Sequence, residues 1–143
     1  MKLKKGAKPK TTSHVHGHAT PRAGKPGAKP WLGAAYYPED WPEKDIDAEI
    51  ELMRRCGMSV MRVGEFAWSR MEPKEGRYDF DWLHNAVDKL GKAGIFTVIG
   101  TPTCTPPAWL TEHYPEVLKV EDNGQRATHG ARVNFCPNNS VYR

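Results

Sequence analysis

From residue 31 onward, apolar positions change period several times, alternating between short continuous runs and helical spacing. Residues 32–37 (LGAAYY) form a short apolar run closed by Pro38 and read as a buried strand. Pro42 suits the first turn of a helix, with Asp40 nearby as a candidate cap. Ile46, Ile50 and Met53 then share one helical face, and Gly57 follows Cys56 as a stop. Residues 60–63 (VMRV) read as a second strand. Asp79 or Asp81 opens a second helix that buries Leu83, Ala86, Val87 and Leu90 and ends at Gly94. Residues 95–99 (IFTVI) are a third strand, apolar throughout, as suits a sheet covered on both faces. Strand, helix, strand, helix, strand, with glycine at each helix end, predicts βαβ units and a parallel α/β sheet. Beyond that, Pro106 and Pro107 introduce a short helix through Trp109 and Leu110. Asn123-Gly124 between residues 117–120 and 125–127 predicts a hairpin.

Composition divides the chain. Residues 1–30 hold eight basic side chains (Lys2, Lys4, Lys5, Lys8, Lys10, Arg22, Lys25 and Lys29) and no acid, leaving 13 basic and 17 acidic residues in 31–143. The net charge of +4 is therefore a property of the tail, and the globular part stands at −4. That balance argues against a nucleic-acid partner for the fold, while leaving polyanion binding by the tail as a separate reading. With almost nothing apolar to bury, residues 1–30 are expected to be disordered. They start like a signal peptide but lack its apolar run. The shortage of acids is shared with organelle-targeting peptides, but Pro and Gly disfavour the amphipathic helix those form. No stretch approaches the roughly 20 apolar residues of a membrane span. Three widely spaced cysteines, Cys56, Cys104 and Cys136, are no disulfide framework and point to a reducing, cytoplasmic setting. His14, His16 and His18 alternate in the tail and could bind a transition metal weakly, although histidines on such a segment are more often incidental.

In parallel α/β folds, functional groups collect where strands end at their C-termini. Here those positions carry YYPEDWP (36–42), RVGEFAWSR (62–70) and GTPTCTPPAWL (100–110). Aromatic faces beside carboxylates and hydroxyls suit a sugar, whose C–H faces stack on rings while its hydroxyls meet charged groups. Packing at the end of the sheet is the competing explanation.

Those three segments, with Glu72-Pro73, GRYDF (76–80) and Trp82-Leu83, together resemble the N-terminal region of glycoside hydrolase family 42 β-galactosidases. The resemblance runs from about residue 31 to the end of the chain. It implies an α/β fold that is a partial TIM (β/α)8 barrel, its first three βα units, with residues 31–143 as the N-terminal part of the catalytic domain. It also implies a retaining glycosidase that removes terminal non-reducing β-D-galactose from a β-galactoside substrate. Such an enzyme needs an acid and a nucleophilic carboxylate roughly 5 Å apart. The family carries both as glutamates on its fourth and seventh strands. They are expected beyond Arg143, leaving these 143 residues inactive alone. Glu65 then belongs to the strand-end framework, in an ion pair or hydrogen bond.

The resemblance assigns substrate binding to Arg132, four residues before Cys136, where a guanidinium can donate two hydrogen bonds to galactose hydroxyls. Without it, Arg132 reads as a surface-loop arginine. Val133, Asn134 and Phe135 depart from the family's Arg-His-Tyr-like run. Cys136 matches a position that, in some members, joins three later cysteines around a structural zinc; otherwise it is a free thiol. No cofactor is required by the chemistry, no membrane partner is expected, and the complete protein is expected to be a homotrimer. A noncatalytic sugar-binding or assembly module is the alternative reading.

Overall fold

The computed structural model describes residues 30–143 apart from Ala131. The expected disordered tail and the alternating histidines lie, except for Pro30, outside the described residues. Three strands, β1 (Gly33–Ala35), β2 (Val60–Val63) and β3 (Phe96–Ile99), form one parallel sheet in the order β1-β2-β3. Gly33 lies opposite Val60 and Val60 opposite Phe96, and the register continues to Val63 opposite Ile99. The helices are α1 (Ile46–Arg55), α2 (Trp68–Met71), α3 (Asp81–Lys92) and α4 (Ala108–His113).

Both crossover helices end in the same way. Gly57 and Gly94 adopt left-handed φ values of 74° and 76°. At the first, the Gly57 N–H donates to the Arg54 carbonyl (3.0 Å) and the Met58 N–H to that of Met53 (3.0 Å). At the second, Gly94 donates to Gly91 and Ile95 to Leu90, both at 3.0 Å. This paired arrangement satisfies orphan helix carbonyls and needs a residue free to take positive φ. In each case a strand begins two or three residues later. Asp79 helps start α3 by accepting the Asp81 N–H on Oδ1 (3.2 Å), whereas Asp40 caps nothing: it ends a 3-10 turn, Pro38–Asp40.

Ile46, Ile50, Leu83 and Leu90 from α1 and α3 pack with Met61, Val63 and Ile95 in the main core. A second cluster joins Leu110, Val117 and Leu118, flanked by Trp68, Trp109, Tyr114 and Tyr142. Side chains alternate along a strand, so the register puts Ala35, Arg62 and Val98 together on the opposite sheet face. Among the described residues that face is uncovered: Val98 is 47% exposed and the Arg62 side chain is half-exposed. The expectation of a sheet covered on both sides is met on one. The hairpin is also looser than expected. The chain reverses, with Glu121 N–H to Gln125 (2.8 Å) and Gly124 N–H to Glu121 (2.9 Å), but Val120 and Arg126 form only an isolated antiparallel bridge.

At Gly33 the backbone of β2 lies close to β1. A methyl group there would sit 1.8 Å from the Val60 carbonyl oxygen and 2.7 Å from a Val60 methyl. A backbone atom cannot rotate away, so Gly33→Ala is expected to destabilise the fold by about 3 kcal/mol, the upper part of the usual overpacking range. The midpoint of urea unfolding measures it.

Tyr36, one residue past β1, turns into the core and is 6% exposed. Its hydroxyl donates to Glu49 Oε2 of α1 at 2.6 Å. Burial, then the hydrogen bond to Glu49, then the charges of Glu49 and Glu39 push the phenol well above its ordinary value near 10. The unfolded chain therefore loses this proton first as pH rises. The stabilisation is complete below about pH 10 and is lost as the pH climbs towards the folded value. Tyr36→Phe should make unfolding free energy less steeply dependent on pH above 10, as read from denaturation at a series of alkaline pH values.

Candidate functional site

All three strands are parallel, so the residues following them share one edge of the sheet. The backbone ladder extends slightly beyond the strands there: Tyr36 N–H donates to the Arg62 carbonyl and Gly100 N–H to that of Val63, both at 2.8 Å. Tyr36, Glu65 and Thr101 thus mark the same rim. The strand ends approach closely. A Cβ on Gly100 would lie 3.1 Å from the Glu65 Cα, so a larger residue would press the two segments apart.

Glu65 sits at the tip of β2 with its Oε2 2.6 Å from the Arg62 guanidinium. The Arg62 side chain is half-exposed on the open sheet face, while the Glu65 carboxylate is more enclosed. The pair is an ion contact and not an aligned hydrogen bond, since no N–H is directed at the oxygen. The Glu65 carbonyl lies 3.7 Å from the Cys104 thiol, close enough for a weak S–H donor. Glu39, after β1, is the other enclosed carboxylate of this edge. Its Oε2 is buried without a partner among the described residues, and burial raises its pKa above the usual carboxylate value. The side-chain chemistry of the rim is therefore two enclosed carboxylates from different strand ends, one matched by arginine.

Tyr37 and Phe66, from the first and second strand ends, stack with ring centroids 5.9 Å apart and planes 21° apart. Over Phe66 lies Arg132, its guanidinium carbon 4.3 Å from the ring centroid. The stack brings Arg132, 66 positions downstream in sequence, onto the rim beyond β2. A cation held over a ring at an exposed site gains about 0.5–1 kcal/mol and loses freedom to swing. Backbone ties hold the segment. Val133 N–H donates to the Cys104 carbonyl at 3.0 Å, and Lys119 N–H to the Asn134 carbonyl at 2.9 Å.

Val133 is the one non-glycine described residue with positive φ, 56°. A β-branched residue in that region carries a strain of roughly 1–2 kcal/mol. Its neighbour Asn134 is 2% exposed, and Asn134 Nδ2 donates to the Thr128 carbonyl at 3.1 Å while Oδ1 has no partner among the described residues. Sequence reasoning registered residues 133–135 only as a departure from pattern. Asn134 is the buried anchor of the segment, and a polar residue between Val133 and Phe135 was the only available hint.

Cys136 is half-buried, with its N–H donating to the Val117 carbonyl at 2.7 Å. A structural zinc takes four donors. Among the described residues no group of three or more His, Cys, Asp or Glu side chains could hold a metal ion. Cys136 is a single donor, so these residues do not by themselves make up a zinc site. No described helix is long and apolar enough to cross a membrane.

Comparison with known proteins adds the lineage. The family model described as β-galactosidase, glycoside hydrolase family 42, matches residues 35–143. The chain is 46% identical over 113 residues to β-galactosidase BbgII of Bifidobacterium bifidum, covering 79% of this chain and 16% of that relative. It is 45% identical over 112 residues to a β-galactosidase of Thermus thermophilus, covering 78% and 17%. Among solved structures, the β-galactosidase of Halorubrum lacusprofundi superposes with a TM-score of 0.75 at 36% identity, covering 78% of this chain and 17% of that one. The cold-adapted β-galactosidase of Rahnella sp. R3 gives 0.74 at 41% identity, covering 77% and 16%. The chain thus spans about a sixth of the length of these relatives. With the rim motifs, the parallel sheet and the family match all falling on the same residues, this chain belongs to the glycoside hydrolase family 42 β-galactosidases.

Proposed function

We propose that this chain supplies the first three βα units of a TIM (β/α)8 barrel in a retaining β-galactosidase that releases terminal non-reducing β-D-galactose. The observation that carries this reading is the one-sided sheet. Its helices cover one face, and the other presents Ala35, Arg62 and Val98 uncovered. Parallel sheets are almost always covered on both faces, and a barrel achieves this by curling so that inward residues of successive strands pack on one another. The kinship with proteins named β-galactosidases supports the substrate. Free thiols at Cys56, Cys104 and Cys136 support a cytoplasmic setting.

In this reading the rim forms part of the sugar-binding mouth. Arg132, braced on Phe66, donates hydrogen bonds to galactose hydroxyls and orients the ring towards the reacting carbon. Double displacement needs an acid to protonate the departing oxygen and a carboxylate to attack from the other side, about 5 Å apart. Glu65 is matched by Arg62 and is assigned to the framework. The catalytic pair is assigned to glutamates on the fourth and seventh strands of the barrel, outside these residues.

Two outcomes test the reading. A polypeptide of these 143 residues should release no chromophore from a nitrophenyl galactoside, and turnover that purifies with it would overturn the division of labour. In the complete enzyme carrying this segment, Arg132→Ala should lower kcat/KM by about 10- to 100-fold, the loss expected for charge-assisted hydrogen bonds. Arg132→Lys should recover little of it, because a point charge does not replace a planar fork of donors.

A further inference from the structure

Between α2 and α3 the chain makes an excursion braced at several points. The buried Glu72 carboxylate accepts the Gly76 N–H on Oε1 (2.8 Å) and the Trp68 indole N–H on Oε2 (2.8 Å). Lys74 and Arg77 form an antiparallel bridge across the turn. Tyr114, beyond α4, donates to the Glu75 carboxylate at 3.1 Å. On the return, Asp79 N–H donates to the Met71 carbonyl (2.8 Å), and Asp79 Oδ2 accepts from Arg70 (3.2 Å). The backbone on both sides of residue 79 is therefore held.

Tyr78 and Phe80 flank this anchor. Their rings are nearly parallel, 6° between planes and 6.0 Å between centroids, an offset stack in which neither ring covers the other. Tyr78 is 63% exposed and Phe80 40% exposed. They border a depression of about 440 Å³ whose other walls include Pro73, Lys74, Arg77 and Asp81. Two aromatic rings exposed side by side on a held backbone offer flat apolar faces on which a ligand can stack.

On the reading proposed above, the excursion belongs to the middle of three βα units, and the units on both sides, carrying β1 and β3, are already present. On that reading, further strands join at the outer edges of β1 and β3, the two ends of the sheet. Charge narrows the occupant. Lys74 and Arg77 are offset by Asp79 and Asp81, so the depression attracts neither a polyanion nor a polycation. A neutral, polyhydroxylated ligand fits both properties, with C–H faces on the rings and hydroxyls to the charged groups. The geometry points to a saccharide-binding platform at Tyr78 and Phe80 that takes the pyranose rings of a neutral, β-linked galactose polysaccharide. The choice of galactose rests on the proposed function; the platform rests on the rings and their surroundings.

Affinity electrophoresis of the 143-residue chain, in native gels with and without soluble β-galactan, tests this. The chain should be retarded by the galactan. Tyr78→Ala should weaken the apparent affinity about tenfold, the loss expected for one stacking ring. Phe80→Ala should act in the same direction and serves as the second variant if the first alters the far-ultraviolet circular dichroism. Tyr78→Phe should retain binding, because the ring and not the hydroxyl stacks. Retardation should survive 0.5 M salt, which shortens the range of charge attraction to about 4 Å. The platform is read from the Tyr78 and Phe80 variants by retardation and the rim by turnover, so the two readings can fail separately. Absence of retardation by galactan, wild-type retardation of both alanine variants, or loss of retardation in salt would each overturn the platform.

Discussion

Parallel pairing of β1, β2 and β3 is the constraint on which everything else in this structure depends. A parallel neighbour cannot be reached through a tight turn, so the chain must travel back along the sheet before each new strand. Here it returns as α1 and as α3, and each helix has to bury an apolar stripe. Ile46 and Ile50 on one, and Leu83 and Leu90 on the other, meet Met61 and Val63 of the central strand. The same requirement makes the sheet two-faced. Once both returning helices lie on one side, Arg62 and Val98 face the other.

That constraint also builds the rim. Because every strand runs the same way, three loops of different sequence emerge at one edge, and small residues let their backbones close up. Gly100 admits the Glu65 backbone, and Gly33 at the opposite end admits the Val60 carbonyl. Close approach has an electrostatic consequence. It brings Glu39 and Glu65 into enclosed positions at neighbouring strand ends, one with Arg62 beside it and the other with a raised pKa. Enclosed carboxylates of this kind can accept hydrogen bonds with less competition from water.

The elements legible in the sequence were those whose cause is local. Gly57 and Gly94 mark helix ends because the closing hydrogen bonds need positive φ at that one position, and the stripe from Leu83 to Leu90 repeats with the helix. Residues 60–63 were bounded correctly for similar reasons. β1 is only three residues long although residues 32–37 are all compatible with a strand, because Tyr36 turns to donate to Glu49 in α1 and Pro38 opens a 3-10 turn. The short helix α2 carried no periodic signal, being a single turn stabilised through Glu72 and its contacts from Trp68 and Trp109. The hairpin motif Asn123-Gly124 produced a reversal without strands, since residues 118 and 120 pair with different partners, Phe135 and Arg126.

Arg132 shows why a site is harder to read than a fold. Nothing within several residues of it states where its guanidinium goes; resemblance alone singled it out. Its position comes from three long-range facts acting together: the Phe66 ring beneath it, the Cys104 carbonyl that receives the Val133 N–H, and Asn134 sealed into the interior. The strained φ of Val133 is the local cost of satisfying all three at once, since one residue must link an exposed cation to a buried amide. Strain of that kind persists only where the surroundings over-determine the backbone. The rim arginine is thus held by the fold of the whole segment and not by its neighbours in sequence alone.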